Sequence, residues 1–298
     1  MKLTTPLHLT LMLPLALAYP LAGRSDTIFM TVNENSVVKY DASGQWSTFS
    51  NSGFNGPTGL ALDSSGNLFA ASYWNHTVWK FDPTGAQTMF ASSDLSAPQG
   101  LALDSAGNLF VADWPANEIK KYDPAGHMSI FASANLSGPY GLAFDKSGNL
   151  YVANQFGNSI TKFDSTGHGS IFANSGMSQP TGLAYNNGYL YVANAASNKI
   201  LKLDSAGNST VFASGTGLNN PEGIAFDSSG YLYAANYNDG TVEVFDTNGN
   251  GSVFASGFYH PVFFAMQPVP EPAAWALLAL GLGALVGSRQ RRARNAFE

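Results

Sequence analysis

The chain of 298 residues contains no cysteine, so it can form no disulfide, no thiolate metal site and no cysteine nucleophile. Charged residues make up only 11% of the sequence, against roughly 25% in an average globular domain. All five arginines lie near the ends, at Arg24, Arg289, Arg291, Arg292 and Arg294. Residues 26–268 hold 8 Lys against 18 Asp and Glu, a net charge of −10. This acidic body lacks the electrostatic footprint of nucleic-acid binding, so we expect no nucleic-acid partner.

Long apolar runs are missing as well. The stretch Leu7–Ala18 is interrupted by polar residues and by Pro14, which makes it too short and too broken for a membrane span. Lys2 before it and small residues after it are typical of a secretory signal peptide. We therefore predict a signal peptide over residues 1–22, with signal peptidase cutting after Ala18 or, alternatively, after Ala22.

What the sequence does contain is a repeat of about 41 residues. Its copies begin at Pro57, Pro98, Pro139, Pro180 and Pro221. Each copy has four apolar runs of four to six residues, separated by turns rich in Gly, Asp, Asn and Ser, a pattern typical of four short antiparallel strands. Repeated four-stranded units of this length predict an all-β fold, a β-propeller with one blade per copy.

The ends of the repeat region predict how the ring closes. Residues 28–50 match strands two, three and four of a copy, and residues 261–266 match strand one. Five complete copies plus this composite give a six-bladed propeller over residues 26–268. Pairing of the two ends would leave no exposed sheet edge.

The repeat also resembles a known family. The pattern P-x-G-[LI]-A-x-D-x-x-G-[NY]-[LI]-[FY]-[VA]-A-[ND], followed by N-x-I-x-K-[FY]-D, is similar to the NHL repeat of β-propellers. The fourth copy departs from it at Tyr185–Gly188, and the first has Ser72 in place of Asp or Asn. NHL propellers include RNA readers with a basic face, a peptide-amidating lyase and scaffolds. The resemblance therefore implies the fold and leaves the function open.

The C-terminal segment, residues 269–298, carries a second resemblance. Pro270, Glu271 and Pro272 precede the apolar stretch Ala273–Gly287, and an arginine cluster follows. Together they resemble the PEP-CTERM sorting signal of Gram-negative bacteria, which exosortase recognises and cleaves. The resemblance implies export to the outer envelope, cell surface or extracellular matrix, with the C-terminal helix in the inner membrane before processing. A plain C-terminal membrane anchor is the alternative.

One face of the predicted ring collects polar and aromatic side chains. We call it the connection face, because it carries both the turns from strand two to strand three and the connections between blades. Ends of second strands place there Asn33, Ser72, Asp113, Asn154, Asn194 and Asn236; Tyr140 and Glu222 lie beside inner strands, and Trp74 and Trp114 lie in loops. Amides bond hydroxyl groups and aromatic rings cover the apolar faces of sugars. We predict a binding or scaffold role toward polysaccharide or an envelope protein; alternatively, the amides cap strands and the aromatic rings pack loops.

Evidence for catalysis is sparse. Sequence motifs for a nucleophile elbow, a phosphate loop or a zinc-binding helix are missing, and no histidines pair at ligand spacing. Acids that recur in every copy are interpreted as turn-forming. We therefore assign no catalytic residue and no required cofactor. The alternative is a metal-dependent lyase or lactonase with a divalent cation near Asp113 and Glu222, which are weak candidates.

Overall fold

The computed structural model describes residues 26–41, 45–215 and 217–268. The expected signal peptide at residues 1–22 and the expected sorting tail at 269–298 lie outside the described residues. Within those that are described, no helix has the length and apolarity needed to cross a membrane.

The described residues form six four-stranded antiparallel sheets, with a single 3₁₀ turn at Ala195–Ser197. Strands are numbered in chain order. The composite blade contains β1 (Asp26–Val32), β2 (Ser36–Tyr40), β3 (Trp46–Ser50) and, from the other end, β24 (Pro261–Pro268). Blade 1 contains β4 (Pro57–Leu62), β5 (Leu68–Ser72), β6 (Thr77–Phe81) and β7 (Gln87–Ala91). Blade 2 contains β8 (Pro98–Leu103), β9 (Leu109–Asp113), β10 (Glu118–Tyr122) and β11 (Met128–Ala132).

The remaining blades repeat this order. Blade 3 contains β12 (Pro139–Phe144), β13 (Leu150–Asn154), β14 (Ser159–Phe163) and β15 (Gly169–Ala173). Blade 4 contains β16 (Pro180–Asn186), β17 (Tyr189–Asn194), β18 (Lys199–Leu203) and β19 (Ser209–Ser214). Blade 5 contains β20 (Pro221–Phe226), β21 (Leu232–Asn236), β22 (Thr241–Phe245) and β23 (Gly251–Ser256).

The predicted closure of the ring is confirmed. The sheet order β24-β1-β2-β3 joins the two ends of the propeller, with Ile28 opposite Met266 and Met30 opposite Phe264. Each inner strand contacts the inner strands of both neighbouring blades. The six-bladed, all-β architecture therefore follows the repeat, with strand limits within about two residues of those read from the sequence.

The turn-forming interpretation of the repeated acids is also confirmed. In the first turn of blade 2, Asp104 Oδ1 accepts hydrogen bonds from the backbone N–H groups of Ala106 and Asn108, both at 2.9 Å. Asp123 makes the same bonds in the last turn of that blade. A short carboxylate that bonds the backbone two and four residues on fixes a tight turn. These acids lie on the face opposite the connection face.

Glycines in the Pro-x-Gly start of each copy allow the inner strands to converge. A Cβ at Gly100 would collide with the carbonyl oxygen of Tyr140 in the next blade, and the other copies repeat this contact at Gly59, Gly141, Gly182 and Gly223. The composite blade has Phe263 at this position. Its ring stacks on Tyr140 of the opposite blade, with centroids 5.7 Å apart and planes at 26°. The two rings therefore meet across the axis of the propeller.

Candidate functional site

A pocket of about 220 Å³ opens on the connection face at the axis of the ring. We call it the axial pocket; it is lined by Asn33, Gly56, Thr58, Tyr73, Trp74, Gln99, Tyr140, Tyr237 and Val262. Thr58, Gln99, Tyr140 and Val262 each follow the Pro that starts an inner strand. The inner strands thus form the floor, and the turns between second and third strands form the wall.

Four of the residues that follow the starting Pro of an inner strand fall into two pairs. The hydroxyl groups of Thr58 and Thr181 donate hydrogen bonds to the carbonyls of Pro98 and Pro221 in the next blade, at 2.8 and 2.9 Å. These two threonines fasten neighbouring blades. In contrast, Gln99 Oε1 and Glu222 Oε2 are buried without a hydrogen-bond partner among the described residues. A buried acceptor without a donor is costly, so Gln99 Oε1, whose side chain lines the pocket, is available to a donor that enters there.

Glu222 is the carboxylate of this site. Its burial raises its pKa to about 7, while a hydrogen bond from Tyr140 acts in the opposite direction. Burial and the neighbouring Glu222 also raise the pKa of Tyr140. Tyr140 lines the pocket and so links it to the carboxylate. A group with a pKa near neutrality can exchange a proton at physiological pH.

The strand-end amides are buried inside the blades. Asn194 Oδ1 accepts from the backbone N–H of Ser178 at 2.7 Å, and its Nδ2 donates to Gly176 O and Ser197 Oγ. Asn154 and Asn236 make the equivalent bonds in blades 3 and 5. These amides fasten the incoming connection to the end of the second strand. Their hydrogen-bonding groups are therefore engaged within the protein, as the capping interpretation expects.

Ser72 and Asp113 also fasten the incoming connection to the end of the second strand, through a hydroxyl group and a carboxylate. Ser72 Oγ accepts from Asn55 N at 2.9 Å. The fully buried Asp113 accepts from the N–H groups of Ser96 and Ala97, and its Oδ2 lies 2.7 Å from Lys120 Nζ. Lys120 therefore neutralises the acid that we considered as a metal ligand.

The sequence grouping of Asn33 with the strand-end amides needs correction. In the register of the composite blade, Val32 pairs with Ser36, as Ser72 pairs with Thr77 in blade 1. Val32 thus holds the strand-end position, and Asn33 is the first residue of the turn. The strand-end position is apolar only in this blade, and Asn33 is the first polar residue after it. As a result Asn33 lines the axial pocket, where its Nδ2 donates to the Tyr237 hydroxyl at 3.2 Å.

The rim carries a continuous series of aromatic rings across three blades. Tyr73 contacts Trp74 at 4.6 Å and Trp114 at 6.4 Å, and Trp114 contacts Phe156 at 4.9 Å between centroids. We call these four rings the aromatic arc. Trp74 and Phe156 are 63% and 60% exposed. Large apolar groups held in the open at the edge of a pocket are typical of a contact surface.

Glycine positions allow two of these rings to lie against the backbone. Gly56 has φ +66°, and a Cβ there would lie 2.8 Å from Trp74 Cδ1. Gly138 has φ +62°, and a Cβ there would lie 2.8 Å from Phe156 Cδ2. The left-handed backbone at Gly56 and Gly138 favours glycine. A larger residue at either position would displace the aromatic ring that packs against it.

A second aromatic group lies on the other side of the pocket. His260 stacks on Tyr237 at 4.2 Å and contacts Tyr259 at 4.1 Å between ring centroids. Asn33 N donates to the carbonyl of His260 at 3.3 Å, which ties this group to the pocket wall. His260 therefore contacts a pocket-lining residue.

The described residues do not fit the divalent cation that the sequence allowed near Asp113 and Glu222. In the part of the chain that the structure describes, no three His, Asp or Glu side chains come together as a metal site. The Asp113 carboxylate is engaged by Lys120 and by backbone N–H groups. We therefore derive no chemistry through a metal at this position.

Several residues of the site were missed at the sequence level. The residues predicted for this face do not include Gln99, Tyr73 or Tyr237, and Phe263 is predicted only as part of the closing strand. The signal was available for Phe263, because it replaces a glycine that all five complete copies share. For Gln99 the signal was its place between Pro and Gly, which it shares with Tyr140 and Glu222.

Comparison with known proteins places this geometry in a family. The model of the virginiamycin B lyase family matches residues 13–255. The chain belongs to the virginiamycin B lyase family. The PEP-CTERM protein-sorting motif matches residues 268–292 and indicates export to the cell envelope of Gram-negative bacteria. A search of the curated proteins gives no significant match.

Solved structures show the same fold at low sequence identity. A catalytically inactive histidine-to-alanine variant of virginiamycin B lyase from Staphylococcus aureus, with quinupristin, is 17% identical, with 86% of this chain and 96% of that chain covered and a TM-score of 0.64. A gluconolactonase from Xanthomonas campestris is 20% identical, with coverages of 70% and 78% and a TM-score of 0.60. A chain of a nidogen/laminin complex is 18% identical, with coverages of 81% and 98% and a TM-score of 0.71. At these identities the likeness shows the fold alone.

Proposed function

We propose that this family member is an exported binding module for a neutral extracellular polysaccharide, held by the aromatic arc and the axial pocket. The sorting motif supports export, and exosortase would release the propeller to the cell surface or the matrix. Alternatively, the same face binds an envelope protein, and the propeller acts as a scaffold.

The aromatic arc is the observation that carries the proposal. Its two exposed members, Trp74 and Phe156, offer flat apolar surfaces, and Tyr73 and Trp114 bridge them. Aromatic rings stack on the C–H faces of sugars while nearby polar groups bond the hydroxyls. Asn33 and Gln99 supply such groups in the adjoining pocket.

Charge favours a neutral ligand. The propeller carries a net charge of −10 over residues 26–268, and no Lys or Arg lines the axial pocket. An acidic surface repels anionic polymers through the long-range field of the protein. A neutral glucan or mannan therefore suits this face better than a uronic-acid polymer.

Affinity electrophoresis against neutral and acidic polysaccharides tests the proposal. We expect Trp74→Ala and Trp114→Ala each to weaken retardation by the bound neutral polymer about 5-fold, because each ring contributes roughly 1 kcal/mol. Tyr189→Ala removes an aromatic ring that is 40% exposed at the start of β17, on the opposite face, so it is the matched control and should bind normally. Binding that survives both tryptophan changes would contradict the proposal, and capture of an envelope protein lost on Trp74→Ala would favour the scaffold role.

A second candidate function rests on the Glu222–Tyr140 pair. A carboxyl group with a pKa near 7, joined by a hydrogen bond to a pocket-lining hydroxyl, suits general acid–base catalysis of ring opening in a lactone. Incubation with quinupristin and with gluconolactone, followed by mass spectrometry, tests it. A lyase opens the ring without a change in mass, whereas a lactonase adds one water. Turnover that is lost in Glu222→Gln would establish the enzyme; no turnover of either compound would leave binding as the function of the site.

A further inference from the structure

The residue after the starting Pro of each inner strand lies near the axis of the propeller. We call these six residues the axial ring: Thr58, Gln99, Tyr140, Thr181, Glu222 and Val262. The two threonines bond the next blade, and the Tyr140 hydroxyl bonds the Glu222 carboxylate. Gln99 Oε1 and Glu222 Oε2 have no partner among the described residues. The axial ring therefore holds two unmatched buried acceptors, and no buried side-chain donor of the ring lacks a partner.

Both unmatched oxygens belong to side chains that are more than nine-tenths buried. Gln99 is 6% exposed and Glu222 is 7% exposed. Gln99 lines the axial pocket directly, whereas Glu222 is linked to the pocket through the Tyr140 hydroxyl. A buried acceptor without a donor costs free energy, and a buried carboxylate costs more unless a cation or a proton neutralises it. The axial ring therefore favours a ligand that brings both hydrogen-bond donors and positive charge.

The charge of Glu222 acts on the lining of the axial pocket. Burial raises the pKa of Tyr140 and of Tyr237, and the Glu222 charge raises both further. A field that disfavours negative charge on these two pocket-lining hydroxyl groups favours positive charge between them. Among the described residues, no Lys, Arg or His lines the pocket, and none forms an ion pair with Glu222. The positive charge is therefore left for a ligand to supply.

Aromatic side chains make up much of the remaining lining, at Tyr73, Trp74, Tyr140 and Tyr237. Aromatic rings attract an organic ammonium group through the negative charge of their π faces, and several rings around one pocket are typical of ammonium recognition. A hard metal ion is not indicated, because it requires a shell of oxygen ligands that aromatic carbons do not provide. The rings, the unmatched acceptors and the carboxylate together favour an ammonium group over both a hydroxyl group and a metal ion.

We propose that the axial pocket binds the primary ammonium group of an amino-sugar unit, with Gln99 Oε1 as its hydrogen-bond acceptor and the Glu222 carboxylate as its counter-charge. This inference rests on the proposed polysaccharide function and names its substrate class, a chain of largely neutral sugars that carries free amino groups. The aromatic arc holds the neutral rings, and the pocket holds the ammonium group. A free small amine has the same chemistry and is the other source. The net charge of −10 over residues 26–268 attracts either one.

Isothermal titration calorimetry of the full chain at pH 7.5 tests the pocket with small probes. Glucosamine, N-acetylglucosamine and glucose differ only in the group on carbon 2, so they separate the ammonium group from the sugar ring. We expect glucosamine to bind about 10-fold more tightly than the other two, because hydrogen bonds to charged groups are the stronger ones. Ethylamine supplies the ammonium group without the sugar and should bind more weakly than glucosamine. Equal or tighter binding of ethylamine would overturn the amino-sugar assignment in favour of a free amine.

Two substitutions test the assigned residues. Glu222→Gln removes the charge but can still accept the Tyr140 hydrogen bond, so it should weaken glucosamine binding about 10-fold and leave N-acetylglucosamine unchanged. Gln99→Leu removes the acceptor at similar size and should weaken glucosamine binding to a similar extent, with a Tm close to wild type as evidence of folding. Glu243→Gln is the matched control. It removes another buried carboxylate and changes the net charge equally, but Glu243 lies in the third strand of blade 5, outside the pocket lining, so glucosamine should bind normally.

A pair of polymers separates this inference from the proposed function. Affinity electrophoresis compares a β-1,4-linked N-acetylglucosamine polymer with its partly de-N-acetylated form, which should retard the propeller more strongly. Equal retardation by both polymers, lost in Trp74→Ala, would overturn the ammonium site and leave the polysaccharide function standing. Glucosamine binding that is unchanged in Glu222→Gln and Gln99→Leu would also overturn the site. Retardation by neither polymer, with glucosamine bound through Glu222 and Gln99, would support the site and contradict the polysaccharide function.

Discussion

Replacing Glu222 by glutamine is expected to remove a pH dependence of stability that this residue gives the propeller. Its burial raises its pKa from 4.5 to about 7 in the folded protein. A raised carboxyl pKa means that the folded state holds a proton which the unfolded chain has released at the same pH. The contribution is therefore fully present below about pH 4.5 and is lost as the pH rises through 7.

The size of the effect follows from the two pKa values. The interval from 4.5 to about 7 corresponds to roughly 3 kcal/mol of unfolding free energy at about 1.4 kcal/mol for each pH unit. Glutamine keeps the shape and can still accept the Tyr140 hydrogen bond, but it does not titrate. The free energy of unfolding of Glu222→Gln, relative to wild type, should therefore rise by roughly 3 kcal/mol between pH 4.5 and pH 8.

Urea unfolding at pH 4.5, 6, 7 and 8 measures this difference directly. Other titrating groups are common to both proteins and cancel when one curve is subtracted from the other. Glu34→Gln changes an exposed glutamate and controls for the substitution itself. Parallel curves for wild type and Glu222→Gln across this pH range would refute the reasoning, because they would mean that the Glu222 carboxyl is solvated in the folded protein.

Two further predictions test the roles of buried polar residues, and a third tests the processing of the C-terminal tail. Asn154→Ala should lower the free energy of unfolding by about 2 kcal/mol in urea, because it leaves buried donors and acceptors unpaired, whereas Asn250→Ala in an exposed turn should cost far less. Asp113→Asn should cost about 3 kcal/mol, because it leaves the buried Lys120 with only Glu118, at 3.8 Å, as an acidic partner; adding Lys120→Thr should recover most of this cost, and no recovery would contradict the pairing. Intact mass of the exported protein should lack Arg289–Arg294 if exosortase removes the tail, and a retained tail would indicate a membrane anchor.

Most of the fold could be predicted from the sequence, because the residues that determine the turns and the strand packing recur in each blade. Asp104 and its counterparts set the turns, and Gly100 and its counterparts let the inner strands converge, so local chemistry repeats with the period of the chain. The composite blade followed from counting strands at the two ends. The position of Asn33 did not follow, because the composite blade has the apolar Val32 at the strand end, so the first polar residue there belongs to the turn.

The site was harder to predict because polarity alone does not tell whether a side chain faces a ligand or its own backbone. Asn194 and Asn33 are the same residue type on the same face, yet one is engaged inside a blade and the other lines the axial pocket. The difference depends on which loop lies above each amide. The position of each loop depends on packing between blades. This packing involves residues far apart in the chain, so a local sequence pattern does not predict it.

The composite blade differs from the other five at the two positions where it joins its neighbour near the axis. Five blades have alanine one residue before the end of the second strand, but the composite blade has Thr31. The Thr31 hydroxyl accepts from Phe263 N at 2.9 Å and donates to Thr58 O at 2.8 Å, so it bridges two inner strands. That bridge occupies the seam where other blades bring glycine against a carbonyl, and it accommodates the large side chain of Phe263. The ring of Phe263 then meets Tyr140 across the axis. Six identical copies would have glycine at this position, so the ring contact across the axis is a consequence of the composite blade.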